Sequence, residues 1–141
     1  RRQGLERACR EAGLDPDTLE HSYMASGDEH YRDIPSVLLA RIQNGIPLFD
    51  SVICGNDRIA LMVYQTLLAQ GLRIPEDIAV IGYDNMVGIG ELFLPPLSTV
   101  QLPHYEIGRL SALHIINGET HRETLRVESP FLMRNSFAHP S

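Results

Sequence analysis

The chain has 141 residues, 43% of them hydrophobic and 21% charged, which is the composition of one ordinary globular domain and too little chain for two. Twelve basic residues, all of them Arg, stand against 18 acidic ones, and the net charge of −6 excludes a surface built to coat nucleic acid, which needs positive charge to displace phosphate counterions. No run approaches the length of a membrane span. Cys9 and Cys54 are too few for a disulfide framework and read as buried free thiols of a reducing compartment. The opening Arg1-Arg-Gln-Gly-Leu-Glu-Arg7 lacks the apolar run of a secretion signal, and with no Met at position 1 and a start inside a helical pattern the chain is expected to be a piece of a longer protein.

Leu5, Ala8, Cys9 and Ala12 mark one face of a helix over residues 4–12, stopped by Gly13 and followed by the loop residues Asp15-Pro16-Asp17. Residues 21–25 suit a short strand, broken at Gly27-Asp28. A second helix fits residues 34–42, with Val37, Leu38 and Ile42 on one side; Asn44-Gly45 ends it and Ile46-Pro47 opens an extended run. Asp50-Ser-Val-Ile-Cys-Gly55 is a short apolar run ending in glycine, as in a strand buried on both faces. Asp57 then suits the N-cap of a helix over 58–70, which Gly71 closes. Residues 78–82 form a second continuous apolar run. Two such strands joined by a helix predict a right-handed parallel βαβ unit, with 52–54 and 79–81 as adjacent central strands.

Beyond Tyr83-Asp84-Asn85 lies an irregular stretch with Gly88, Gly90, Pro95 and Pro96, long enough to expect a function. Residues 97–102 are extended, 105–117 helical with Gly118 as the stop, and 124–127 and 131–134 short and β-like. The last helix is apolar most of the way round, so it needs neighbours most of the way round. The fold class is α/β, a mainly parallel sheet flanked by helices.

Enzyme signatures are missing: there is no Gly-x-Ser-x-Gly elbow, no His-Glu-x-x-His and no phosphate loop ending in Gly-Lys. Gly88-Ile-Gly90 lacks the third glycine of a dinucleotide fingerprint and reads as a turn. No two histidines are three or four apart, so neither a metal site nor a cofactor is expected. The residues that attract attention close the two buried strands: Asn56 and Asp57 the first, Tyr83, Asp84 and Asn85 the second. Ligands of open α/β sheets bind outside those carboxyl ends. A carboxylate accepts hydrogen bonds and a carboxamide both donates and accepts, which suits a small polar ligand rich in hydroxyl or N–H groups. Capping fully explains Asp57, whereas Asp84 is equally a turn residue and a ligand contact.

Three linked segments carry a resemblance: Asp50-Ser-Val-Ile-Cys-Gly-Asn-Asp-Arg-Ile-Ala, Gly71-Leu-Arg-Ile-Pro-Glu-Asp-Ile-Ala-Val-Ile-Gly-Tyr-Asp-Asn and Pro95-Pro-Leu-Ser-Thr-Val. In this order and spacing they resemble the lactose-repressor/galactose-repressor (LacI/GalR) family of bacterial transcription regulators, with weaker likeness from Arg1-x-x-Gly4 and Glu11-Ala-Gly13 to Arg134-Asn-Ser136. The resemblance implies an incomplete periplasmic-binding-protein-like type I fold: residues 1–102 from the C-terminal lobe of an effector-binding domain, 103–127 a crossover helix and strand of the N-terminal lobe, and 128–141 a return to the C-terminal lobe and tail. It implies Arg1, Asn56 and Asp84 as effector contacts converging on one cleft. The aromatic residue that often covers the ligand falls on Glu29, a departure for which His30 or Tyr31 could substitute; Gln101 is displaced by one from the family's Gln-Pro, here Leu102-Pro103.

The implied function is a cytoplasmic ligand sensor with no catalysis of its own, binding a sugar or purine-like effector between lobes. Operator DNA would be reached only through an N-terminal head absent from this chain. The alternative is the sugar-binding component of a periplasmic uptake system. A homodimer contact is expected on the outer face of the 58–70 helix, rich in Ile59, Leu61, Met62, Val63, Tyr64, Leu67 and Leu68, together with Val87, Ile89, Leu92 and Phe93 of the following loop.

Overall fold

The computed structural model describes residues 2–21, 30–118, 120 and 124–137, with the backbone alone at His30 and Tyr31. Its centre is the expected βαβ unit. β3 (Ser51–Ile53) leads through α3 (Asp57–Ala69) to β4 (Ala79–Asp84), and the strands pair in parallel with Val52 opposite Val80. β5 (Ser98–Gln101) extends the sheet in parallel, Ile81 lying opposite Ser98, and β6 (Phe131–Leu132) closes the far edge antiparallel to β5. The strand order is β3-β4-β5-β6, so the sheet is mainly parallel and flanked by helices, as expected.

One face of this sheet carries the core. α2 (His30–Leu39) contributes Ile34 and Leu38; α3 contributes Ala60, Val63, Tyr64 and Leu67; all pack with Ile78, Val80, Phe93 and Leu97. Burial in β4 alternates, Val80 and Gly82 inside and their neighbours partly exposed. The expectation of two central strands covered on both faces is therefore corrected. β3 is an edge strand among the described residues and Ile53 is 53% exposed; α1 (Arg2–Glu11) and α4 (His104–Ile116) have no fully buried residue. The same fact leaves Cys9 on α1 only partly buried, against expectation. Cys54 is buried as expected, and desolvation, reinforced by the nearby Asp57, pushes its thiol up to about 12. α4 stands off the sheet, as the resemblance implies for a crossover helix: Tyr105 is 84% and Ile116 77% exposed.

Three local expectations are corrected. The second helix ends at Leu39, and Ile42 belongs to a hairpin of β1 (Ile42–Gln43) and β2 (Ile46–Pro47). Asn44 and Gly45 have φ of 51° and 77°, the pair of left-handed residues that a tight hairpin turn matched to strand twist requires, so this Asn-Gly makes a turn and not a helix stop. Residues 124–127 form no strand, and the last β piece is confined to Phe131–Leu132. The strand expected over 21–25 lies, beyond His21, outside the described residues.

The third correction is Asp57. Asn56 is the true N-cap of α3, extended at φ −160°, with its Oδ1 accepting from the Ile59 N–H at 2.9 Å. Asp57 is the first helical residue and turns inward, fully buried. Its Oδ1 accepts from the Thr99 hydroxyl of β5 at 2.8 Å, and its Oδ2 from the backbone N–H of Met86, beyond β4, at 2.9 Å. Gly82 makes room for it: a Cβ there would lie 2.3 Å from Asp57 Oδ1 and 2.7 Å from Leu97 Cδ2.

The tail is stitched in as firmly. Ser136 is fully buried; its hydroxyl donates to the Val80 carbonyl at 2.6 Å and accepts from the Ser98 N–H at 2.7 Å, while its own carbonyl accepts from the Val80 N–H at 2.9 Å.

Gly82→Ala should cost about 1–3 kcal/mol through overpacking, read as a lowered urea midpoint with an unchanged slope. Asp57→Ala should cost about 1–3 kcal/mol for each donor left unsatisfied, and a cycle with Thr99→Val should be non-additive. Wild-type midpoints in either variant would contradict this packing.

Candidate functional site

Because β3, β4 and β5 are parallel, their carboxyl ends lie along one edge of the sheet. Asn56 follows β3, Asp84 ends β4 and Gln101 ends β5, with Asp84 and Gln101 register partners. The topology thus brings together three of the residues singled out from the sequence. Arg1 and Glu29 lie outside the described residues, as do the side chains of His30 and Tyr31 at the start of α2.

The turn after β4 is unusual in its backbone. Asp84 and Asn85 have φ of 116° and 53°, in the region that favours glycine. Such residues cost of order 1–3 kcal/mol each and persist only where their surroundings hold them. Here the restraints are explicit. The Met86 N–H is held by Asp57 Oδ2, the Leu102 N–H donates to the Asp84 carbonyl at 3.2 Å, and Arg134 Nη2 donates to Asn85 Oδ1 at 3.1 Å. Arg134 also donates from Nη1 to the Leu97 carbonyl at 2.7 Å, so its guanidinium clamps the turn to β5.

The loop that follows is anchored at its far end. Phe93 packs edge-on to Tyr64 with ring centroids 4.8 Å apart, and the Tyr64 hydroxyl donates to the Pro95 carbonyl at 2.9 Å. Burial pushes the Tyr64 phenol up to about 12. A shallow pocket of about 190 Å³ lies between this loop and Arg134; Asn85 is the one strand-end turn residue that also lines it.

The side chains at the strand ends are polar and partly exposed. Asn56 has its oxygen committed to capping, which leaves the amide N–H groups as its means of meeting a ligand, a narrower role than a carboxamide that both donates and accepts. The Gln101 side chain is exposed, while its backbone N–H donates to the Pro130 carbonyl at 2.8 Å. Asp84 Oδ1 lies 2.7 Å from Nε2 of His104, the first residue of α4. His104 was not foreseen as a site residue. The usable signal was Pro103: a proline favours a helix start, and a helix starting there places the next residue beside the strand ends. Among the described residues no group of three His, Cys, Asp or Glu side chains is placed to hold a metal ion, and no helix is long and apolar enough to cross a membrane. The edge offers hydrogen-bond donors and acceptors suited to a hydroxyl-rich molecule.

Known proteins share this chain's sequence and fold. Residues 1–135 match the family described as periplasmic binding proteins and sugar binding domain of LacI family. The sucrose operon repressor of Escherichia coli is 54% identical over 136 residues, an alignment covering 96% of this chain and 41% of that repressor. A LacI family transcriptional regulator from Enterococcus faecium, solved with bound ribose, superposes with a TM-score of 0.77 at 29% identity, covering 96% of this chain and 49% of that one. A LacI family regulator from Arthrobacter sp. FB24, solved in complex with lactose, superposes with a TM-score of 0.69 at 25% identity, over 95% of this chain and 49% of that one. The chain therefore spans less than half of each of these relatives, and it belongs to the family of periplasmic binding proteins and LacI-type sugar-binding domains.

Proposed function

We propose that the chain is the effector-reading part of a sugar-responsive DNA-binding transcription regulator. The observation that carries this is the gathering of Asn56, Asp84 and Gln101 on one sheet edge, in a chain 54% identical to a sucrose operon repressor. Asp84 is the principal contact, accepting from effector hydroxyls; Asn56 donates through its amide, and Arg1, Glu29, His30, Tyr31 and Gln101 are further contacts. A sugar is preferred to a purine because the sucrose operon repressor is 54% identical over 136 residues, whereas the HTH-type transcriptional repressor PurR of Vibrio vulnificus is 38% identical over 107 residues. Repressor relatives also favour a regulator over an uptake component, and with it a cytoplasmic location and no catalysis.

In this reading residues 1–102 and 128–141 belong to one lobe, and 103–127 cross to the other. The unpacked state of α4 supports the division: its apolar side chains await a partner wall. The chain supplies one wall of the cleft, so its own affinity for sugar is weak. Coupling to operator DNA runs through a head beyond this chain, and an effector shifts that equilibrium only by its differential affinity for the two states. The regulator is a homodimer, joined through the outer face of α3 and the loop after β4. Leu61 and Leu68, exposed and two turns apart on α3, join the exposed Val87, Leu92 and Leu94 in that contact. Val63, Tyr64, Leu67 and Phe93 are buried in the core, which removes them from the earlier choice of dimer residues.

In the regulator with its head, Asp84→Ala should abolish sugar response and leave operator binding intact. The loss of a charged hydrogen bond is about 1.5–3 kcal/mol, or roughly 10- to 150-fold in affinity by calorimetry with sucrose. Unchanged affinity would refute the role. Leu61→Glu with Leu68→Glu should convert a dimer to monomers in sedimentation; a wild-type monomer would remove the dimer proposal.

A further inference from the structure

We propose that His104 is a specificity-determining residue of the effector site, reading hydroxyls of the effector together with Asp84. The inference rests on the sugar-sensor reading and deepens it. His104 Nε2 and Asp84 Oδ1 are 2.7 Å apart. With Asp84 as a carboxylate, which has no proton to give, Nε2 carries the hydrogen and donates. In that tautomer Nδ1 is an acceptor, and Asp84 keeps Oδ2 as a second; neither atom has another partner among the described residues. Nδ1 lies on the far side of the ring from Asp84, so the two acceptors are set apart and reach hydroxyls at different positions of one sugar.

A structural role does not account for the pair as well. The His104 side chain is 70% exposed against 30% for Asp84, so removing the ring opens no cavity. α4 buries no residue, and Pro103 at its N-cap makes no side-chain cap bond. The imidazole is thus the side chain that ties the start of α4 to the end of β4, and a sugar held by both groups bridges the two elements. Choosing among sugars follows from geometry: hydroxyls whose spacing or configuration misses one acceptor leave it desolvated and unpaired.

The test is an NMR titration of the ¹⁵N-labelled effector domain with both lobes present, using sucrose, D-fructose, D-glucose and D-ribose and reading backbone amides and histidine ring nitrogens. Wild type should show saturable shifts at Asp84 and at His104 Nδ1 with some of these sugars. His104→Phe, which keeps a ring but no nitrogen, should weaken the preferred sugar roughly two- to tenfold and flatten the order of preference. His104→Gln, whose amide can both donate to Asp84 and accept from a hydroxyl, should restore much of the affinity. If both variants bind every sugar as wild type does while Asp84→Ala does not, His104 is a bystander and the proposal fails alone. If wild type binds none of the four, the sugar reading fails and takes the proposal with it.

Discussion

A carboxyl group sealed from water must find its hydrogen-bond partners inside the protein, and Asp57 finds them on two other elements. Thr99 holds it from β5 and the Met86 N–H holds it from the far side of the β4 turn, while its own backbone begins α3. Three segments distant in sequence thus meet at one side chain. The contact demands Gly82 beneath it, since any side chain there would occupy the carboxyl oxygen's place. It also fixes where Met86 sits, and so forces Asp84 and Asn85 through the left-handed backbone region. The residue proposed to read the effector is presented by a turn that a buried carboxyl keeps bent.

Around that point the molecule is unevenly finished. The face bearing α2 and α3 is close-packed, and the tail is bound in through Ser136 and Arg134. The outer edge of β3 and the whole of α1 and α4 have no such cover. Burying one large apolar side chain is worth about 1.5–3 kcal/mol, so apolar surface of this extent favours association over solvation. The unevenness agrees with a chain that spans 41% of the sucrose operon repressor and 49% of the ribose-bound regulator that it matches.

The strands and α3 were legible because a continuous apolar run ended by glycine and a helical repeat are local signals. Asp84 was legible as a strand-end residue for the same reason. The exchange of roles between Asn56 and Asp57 was not. Both residue types cap helices well, and the decision rests on Thr99, 42 residues away. Local chemistry cannot see that partner. The Asn44-Gly45 pair misled because the same dipeptide stops helices and turns hairpins, and only the pairing of Ile42 with Pro47 separates the two. Burial of Ile53 was overestimated because an apolar run reports a strand's character and not what lies beside it. His104 was missed because Pro103 signals a helix start but not that α4's first turn approaches Asp84, which is a tertiary fact.

The central claim is that the strand-end edge held by Asp57 is the surface that meets the sugar. Backbone amide shifts of the effector domain, with both lobes present, titrated with sucrose test it most directly. The perturbations should cluster at Asn56, Asp84, Asn85, Gln101 and His104, and the Met86 amide should remain protected from hydrogen exchange throughout. Shifts confined to other parts of the molecule, or a Met86 amide that exchanges as freely as a loop, would contradict it.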